Sequence, residues 1–438
     1  MQKGFVFDIN KCVACQACVV ACQIENMDLE ELVSEEKWAS QMPWRNITTH
    51  NEFQHPELPV FHFSMACNHC EEAPCMSNCP ALAYTRNKDF GAVIHQAEAC
   101  IGCRYCTMVC PYDAPKYNPF TGIIEKCTLC VNRLADGKKT ACASACPTGA
   151  LDYDNINIAP QIIVGFPETG IKPAIEIKKL RKDSTLKQEN TYAGLKQVDI
   201  IRELNLEEKK KNVLFSEWPL LAFSLLMPLL VSAFYAAFSK GFAMNKLGFI
   251  GILVLAGVLS LGHLGKKMRA WRVFFNLRNS WLSREILAYS LFVPSASLWL
   301  FYPRQNELGL IATVFGLLIL VSIDNIYRKA PSKQENKYHS ADVLFFTAFL
   351  YVAIFVLNPW MFFAAMVLKV YLYITRKLMF KRAGENIRPV FSVLRVLLGF
   401  IIPTILFFLV GFNTVNYAVL IFVILGEVID RIEFYMEL

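Results

Sequence analysis

Residues 100–118 read CIGCRYCTMVCPYDAPKYN, with cysteines at 100, 103, 106 and 110 and a proline at 111. Two-residue gaps let three thiolates curl around one corner of a cuboidal iron–sulfur cluster, and the fourth cysteine opens a turn that reaches a neighbouring cluster. The proline fixes φ and sets that turn. The pattern recurs at Cys12, Cys15, Cys18 and Cys22, at Cys67, Cys70, Cys75 and Cys79 before Pro80, and at Cys127, Cys130, Cys142 and Cys146 before Pro147. The first run has Gln23 in the proline position, so a looser turn is expected there. Together the four runs use all sixteen cysteines of the chain. Structural zinc sites pair two C-x2-C arms across a longer gap, and the 100–110 run is far denser. Disulfides belong to oxidising compartments. Met1–Asn10 has no apolar core and no small-residue cleavage site of a secretory leader. Four 4Fe–4S clusters, each a one-electron centre, are the expectation.

The rest of the chain is different in kind. Hydrophobic residues make up 54% and charged residues 18%, too apolar a balance for one soluble globule. No cysteine follows Cys146. After a connector whose second half, around Lys178–Lys211, is densely charged, apolar runs alternate with short polar loops from Trp218 onward. The predicted spans are 218–239, 247–264, 285–302, 308–326, 341–358, 360–375, 391–412 and 415–434, each near the ~20 residues that cross a bilayer. Asn358-Pro359-Trp360 must then form a tight turn between two of them. The net charge of +7 gathers in the loops, which reads as membrane topology and gives no nucleic-acid partner. No phosphate-binding Gly-rich loop, nucleophile elbow or HExxH occurs, so no substrate chemistry is expected in the head.

Residues 1–180 resemble the four-cluster electron-transfer subunit of the bacterial dimethyl sulfoxide reductase family. The resemblance rests on CNHCEEAPC (67–75), the 100–118 stretch and the run from KCTLC (126–130) through GKKTAC (137–142) to CPTGALD (146–152). Residues 216–438 resemble that family's membrane anchor subunit, on EWPLLAFS (217–224), GHLGKKMRA (262–270), SWLSREI (280–286) and GEVIDRIEFY (426–435). The resemblance implies two subunits fused in one polypeptide. The architecture would be an α+β ferredoxin-like head over 1–180, a charged linker over 181–215 and an all-α polytopic domain of about eight transmembrane helices over 216–438.

The resemblance also implies nested ligation. One cluster would take Cys12, Cys15, Cys18 and Cys146, a second Cys127, Cys130, Cys142 and Cys22. A third would take Cys67, Cys70, Cys75 and Cys110, and the fourth Cys100, Cys103, Cys106 and Cys79. Nitrate reductase relatives carry tryptophan where this chain has Cys103. A separate molybdopterin-containing catalytic subunit is implied as partner, with menaquinol or ubiquinol as exchangeable substrate.

Ionisable residues inside a span are costly and tend to be functional. Counted along the spans, His263, Arg284, Glu285, Asp324, Glu427 and Asp430 fall toward one membrane face, that of the head. His263, in the HLG stretch that the resemblance assigns to quinol, is the expected quinol-site residue, with Asp324 and Glu427 beside it. Structural pairing of these acids with Arg284 or Arg431 is the competing expectation. Lys369 stands alone in mid-span without an assigned role. One histidine within the spans disfavours a haem with two histidine ligands. Basic residues follow spans two, four and six, from Lys266 and Arg269 to Arg376, Arg388 and Arg395, against Lys240, Lys246 and Arg304 on the other face. The charge rule therefore favours a cytoplasmic head on a multi-pass protein of the bacterial inner membrane. The expected role is electron transfer from quinol to the catalytic subunit. The alternatives are flow from a partner dehydrogenase to quinone, or a membrane-tethered cluster sensor.

Overall fold

The computed structural model describes residues 2–26, 42–50, 60–156, 171–178, 218–328, 343–382, 388–410 and 417–437. The expected linker at 181–215 lies outside the described residues. The polypeptide forms two compact units, Met1–Leu204 with Gly265–Asn279 and Asn205–Leu264 with Ser280–Leu438.

The first unit, the head, is built on β1 (Gln2–Asp8), α1 (Ala17–Asn26) and a series of short hairpins. In β1 the alternation of Phe5 and Phe7 with Val6 puts both rings into the core, as the two-residue period of a strand requires. The hairpins are β2 (Asn46–His50) with β3 (Phe61–Met65), β4 (Tyr84–Arg86) with β5 (Val93–His95), and β6 (Lys116–Asn118) with β7 (Ile123–Glu125). β8 (Leu151–Ile156) pairs antiparallel to β1, from Gln2↔Ile156 to Phe7↔Leu151. β9 (Ile175–Lys178) pairs parallel on its other edge. Between the strands stand α2 (Pro74–Ser77), α3 (Tyr105–Val109), α4 (Val131–Ala135) and α5 (Ala141–Ser144).

Proline punctuation explains where these helices stop. α2, α3 and α5 end just before Cys79, Cys110 and Cys146, each of which precedes a proline. A residue before proline is pushed out of helical conformation, and Cys110 has φ −89° and ψ 115°. Gln23 imposes no such stop. The looser turn expected there is instead a continuous helix, as α1 runs through Cys22 to Asn26.

The second unit is helical. Its described residues form α6 (Trp218–Lys240), α7 (Lys246–Gly262), α8 (Trp281–Phe301), α9 (Asn306–Arg328), α10 (Val343–Phe355), α11 (Pro359–Arg382), α12 (Pro389–Val396) and α13 (Tyr417–Glu437). α12 continues through a π turn at Leu397–Ile401 into Ile402–Val410. These stretches coincide with the apolar runs of the sequence. By length and composition three can cross a bilayer, Trp218–Lys240, Asn306–Arg328 and Pro389–Leu409, and a fourth if Lys246–Gly262 and Lys267–Asn276 count as one broken span. Leu247, Val254, Leu255 and Val258 of α7 are exposed, a surface suited to lipid. Pro359 opens α11, and Asn358 Oδ1 accepts from Met361 N–H at 3.0 Å, which makes the tight turn expected there. Inside, Phe234 meets Phe292 and Trp299 edge-on with centroids 5.8 and 5.3 Å apart.

The polypeptide leaves this unit after Leu264, contributes Gly265–Asn279 to the head, and returns at Ser280. That strap lies against head backbone at van der Waals limits. Gly102 and Gly122 both have left-handed φ, +70° and +68°. A Cβ on Gly265 would fall on the Gly122 carbonyl oxygen. Such an overlap costs on the order of 1–3 kcal/mol. Gly265→Val should therefore raise tryptic cleavage at Lys267 and Arg269 about ten-fold. An unchanged cleavage rate would show that the close approach does not hold the strap.

Candidate cluster sites and intramembrane polar site

The first C-x2-C gap of each cysteine run carries a left-handed residue at the same place, just before the second cysteine. They are Ala14 (φ 55°), His69 (43°), Gly102 (70°) and Leu129 (61°). Gln16, Arg104 and Cys130 are left-handed as well. Each non-glycine residue in this region costs ~1–2 kcal/mol, so such concentration marks a functional constraint. The turn aims main-chain N–H groups at sulfur. Gly102 N–H donates to Cys100 Sγ at 3.4 Å and Leu129 N–H to Cys127 Sγ at 3.3 Å. Ala83 and Leu151 N–H do the same for Cys79 and Cys146, at 3.3 and 3.4 Å.

The thiols influence one another mostly within groups, although Cys142 also acts on Cys18 and Cys67 on Cys127. Burial pushes the Cys12 thiol up, and the charges of Cys18, Cys146 and Cys15 add to it. Cys22 rises to about 12 through burial and then Cys142 and Cys130. Burial raises Cys70, with Cys67, Cys110 and Cys75 adding to it, and Cys75 reaches about 12. Burial raises Cys103 and Cys106, with Cys79 and Cys100 adding to both. Cys146 behaves differently: burial raises it, but N–H groups of Leu151, Thr148 and Ala150 with the Thr148 hydroxyl bring it below its ordinary value.

Two buried cations face this charge, and sequence reasoning found neither. Arg45 is 3% exposed and donates through Nη1 to Ser64 Oγ at 3.0 Å. Burial opposes its charge, yet the thiolates of Cys142, Cys127, Cys18 and Cys22 outweigh that and raise its pKa. Lys126 Nζ donates to the carbonyls of Val93 at 2.5 Å and Cys127 at 2.6 Å. His69 accepts from Val93 N–H through Nδ1 at 3.0 Å. Burial, then Lys126 and Arg86, lowers its pKa well below 6.5, so it stays neutral and acts as a packing acceptor. Among the described residues no three Cys, His, Asp or Glu side chains converge closely enough for a single metal ion. Soft thiols set wider than a mononuclear site, with N–H donors and buried cations around them, fit 4Fe–4S clusters.

The helical unit holds a second buried polar assembly. Glu427 of α13 accepts from Lys369 Nζ at 2.6 Å, from Arg395 Nη2 at 2.7 Å and from Thr347 Oγ1 at 2.8 Å. Arg376 bonds Asp430 at 3.2 Å and Glu433 at 2.9 Å, and Lys377 also pairs with Glu433. Lys369, alone in the sequence, thus has its partner in Glu427. Arg376 and Arg395, which the sequence places among loop residues, are helical and buried. The pairing expected between Glu427 and Arg431 is not what forms. Arg431 is 1% exposed, and among the described residues its three guanidinium nitrogens find no hydrogen-bond partner. The Arg395 head wedges between Gly399 and Gly426, where neither position has room for a Cβ. Asp324 accepts from the N–H groups of Leu344 and Phe345, both at 3.3 Å, and so caps α10. His263 is the C-cap of α7 and is buried, as is Glu285 of α8.

Comparison with known proteins agrees with both halves. Residues 58–156 match the 4Fe-4S dicluster domain, and residues 214–355 match the DMSO reductase anchor subunit (DmsC). The N-terminal part is 37% identical over 158 residues to one of the chains of the anaerobic dimethyl sulfoxide reductase of Escherichia coli (strain K12), a match that covers 36% of this protein and 75% of that relative.

This protein belongs to the dimethyl sulfoxide reductase family.

Its iron–sulfur and anchor portions are fused in one polypeptide. Other family relatives include one of the subunits of the sulfite dehydrogenase of Allochromatium vinosum, 33% identical over 41% of this protein and 84% of that relative. The thiosulfate reductase electron transfer subunit PhsB of Salmonella typhi is 39% identical over 36% of this protein and 77% of that relative. As a dimethyl sulfoxide reductase family member the protein is an electron-transfer and anchor subunit, carries 4Fe–4S clusters and is membrane-bound.

Cluster loading should depend on pH. Cys22 and Cys75 at about 12, and Cys110 at about 11, hold protons in the folded apo head, while ligation needs thiolates. Loading releases those protons, so it strengthens as pH rises. Reconstitution followed by visible absorbance should fall in yield from about pH 8 to about pH 6, and a flat profile would contradict this. In the helical unit, Glu427→Leu leaves Lys369 and Arg395 without their carboxylate. Detergent-solubilised protein should lose about 3–5 kcal/mol in unfolding experiments, and adding Lys369→Met should recover part of it.

Proposed function

We propose that this protein oxidises membrane quinol in its helical half and passes electrons through four 4Fe–4S clusters to a separate molybdopterin-containing catalytic subunit. The ligand sets would be Cys12, Cys15, Cys18 and Cys146; Cys22, Cys127, Cys130 and Cys142; Cys67, Cys70, Cys75 and Cys110; and Cys79, Cys100, Cys103 and Cys106. The reading is supported by the influence of the thiols on one another, which falls mostly within these four sets, with Cys18 and Cys22, Cys18 and Cys142, and Cys67 and Cys127 acting between sets. When bound, such clusters supply one-electron carriers.

Quinol gives up two protons with its two electrons, so its site needs a base. His263 is a buried imidazole whose ordinary pKa is near neutrality. In the sequence it stands two residues before Gly265, the first residue of the strap. Asp324 and Glu427 have a different part in this proposal. Their carboxylates are occupied by N–H groups and by cations, which suits holding helices together better than taking a proton. A single histidine among the spans speaks against a haem with two histidine ligands.

The sulfite dehydrogenase among the relatives favours a second reading, in which a partner dehydrogenase feeds electrons to quinone. The helices would form eight spans of the bacterial inner membrane, with a cytoplasmic head. Arg376 and Arg395 no longer count toward the loop charges, but Lys266, Lys267, Arg269 and Arg278 still do.

His263→Arg decides the quinol assignment. Quinol-dependent reduction of the clusters should slow about 100-fold or more, as for loss of a general base. The clusters should still assemble and accept electrons from an artificial donor. Normal quinol-dependent reduction in this variant would remove His263 from the site.

A further inference from the structure

The strap does more than join two helices. Its contacts gather on the loops that carry Cys79, Cys100 and Cys103. Lys266 N–H donates to Ile101 O at 3.0 Å, and Gly265 N–H to Gly102 O at 3.4 Å. Arg269 Nη1 donates to Ala97 O at 2.8 Å and Cys100 O at 3.3 Å. Asn276, buried with Val273, gives its Nδ2 hydrogens to Ser77 O at 3.0 Å and Cys79 O at 2.9 Å. Arg269, Val273 and Asn276 therefore form the head-facing side of this 3-10 stretch, while Met268, Trp271 and Phe275 are exposed.

We propose that the strap is a redox-tuning element, in which Arg269 and Asn276 are positioning residues that raise the reduction potential of the centre held by Cys79, Cys100, Cys103 and Cys106. The inference rests on the ligand sets given above. Adding an electron to a buried centre is favoured by nearby positive charge and by dipoles whose positive ends point inward. Gly265, Lys266, Arg269 and Asn276 each present a donor to carbonyls of the loops that carry Cys79 and Cys100. Arg269 adds a full charge. Its ionic partner is Glu98 at 3.3 Å, and that carboxylate is 95% exposed, where solvent and salt screen it. The guanidinium is therefore the less screened charge beside Cys100. Asn276 acts differently. It holds the turn that carries Cys79 by donating to Ser77 O and Cys79 O. The reaction affected is a one-electron reduction of the centre, with no bond made or broken in the strap. Because the strap is continuous with α7 and α8, the acceptor strength of this one centre would depend on the segment that ties it to the membrane half.

The test is a redox titration of the full-length protein in detergent, followed by electron paramagnetic resonance, with Cys103→Ser marking which signal belongs to this set. Arg269→Gln keeps an N–H donor and removes the charge. It should lower that one midpoint by about 59 mV, a tenfold change in the one-electron equilibrium constant, and leave the other three unmoved. Arg269→Lys should restore it, and Asn276→Ala should lower the same signal. All four midpoints unchanged at full iron content would overturn the proposal, and so would a shift shared among several signals. Loss of the signal together with iron in Arg269→Gln would show a merely structural hold and overturn it too. Fewer than four signals in the unaltered protein would count against the cluster assignment itself.

Discussion

Sixteen thiol groups within one small head repel one another once their protons leave, and the head is arranged against that repulsion. Left-handed residues in every C-x2-C gap turn main-chain N–H groups toward sulfur, as at Cys100 and Cys127. Arg45 and Lys126 place full positive charges in the interior where water cannot help. Phe5, Phe7 and Phe63 belong to a hydrophobic core that also takes in Ile124, Leu129, Leu151 and Ile175. In the proposed reading, ligation adds to that core and offsets the strain of the left-handed residues. Small domains that hold metal commonly draw folding free energy from the metal itself.

The helical half solves a related problem with different means. Glu427, Asp430 and Glu433 of α13 meet Lys369, Arg376, Lys377 and Arg395 from α11 and α12 in a continuous assembly. Burying ions is expensive, and breaking such a group costs more than never having it. The assembly therefore specifies which helices pair and in what register, through contacts that apolar side chains alone would leave degenerate.

The cysteine runs were legible because three of the four cysteines in each proposed set lie close together in the sequence, as Cys100, Cys103 and Cys106 do. The apolar runs were legible because a helix of lipid-facing length leaves an uninterrupted signature. Pairing across helices leaves none. Arg376 and Arg395 look like loop residues in the sequence, since only α13, folded beside them, supplies Asp430, Glu433 and Glu427. Lys369 looked solitary for the same reason. Arg45 lies outside every cysteine run, and the strap's hold on Cys79 joins residues 197 apart in the sequence. Gln23 departs from the proline pattern, and the result is not a looser turn but a helix that continues to Asn26.

In the proposed reading one polypeptide holds four 4Fe–4S clusters together with its own membrane anchor. Iron and acid-labile sulfide determined on the full-length protein, purified anaerobically and quantified by amino-acid analysis, test it most directly. Four clusters give about sixteen iron and about sixteen sulfide per polypeptide. A count near eight of each, or zinc in place of iron, would contradict the account.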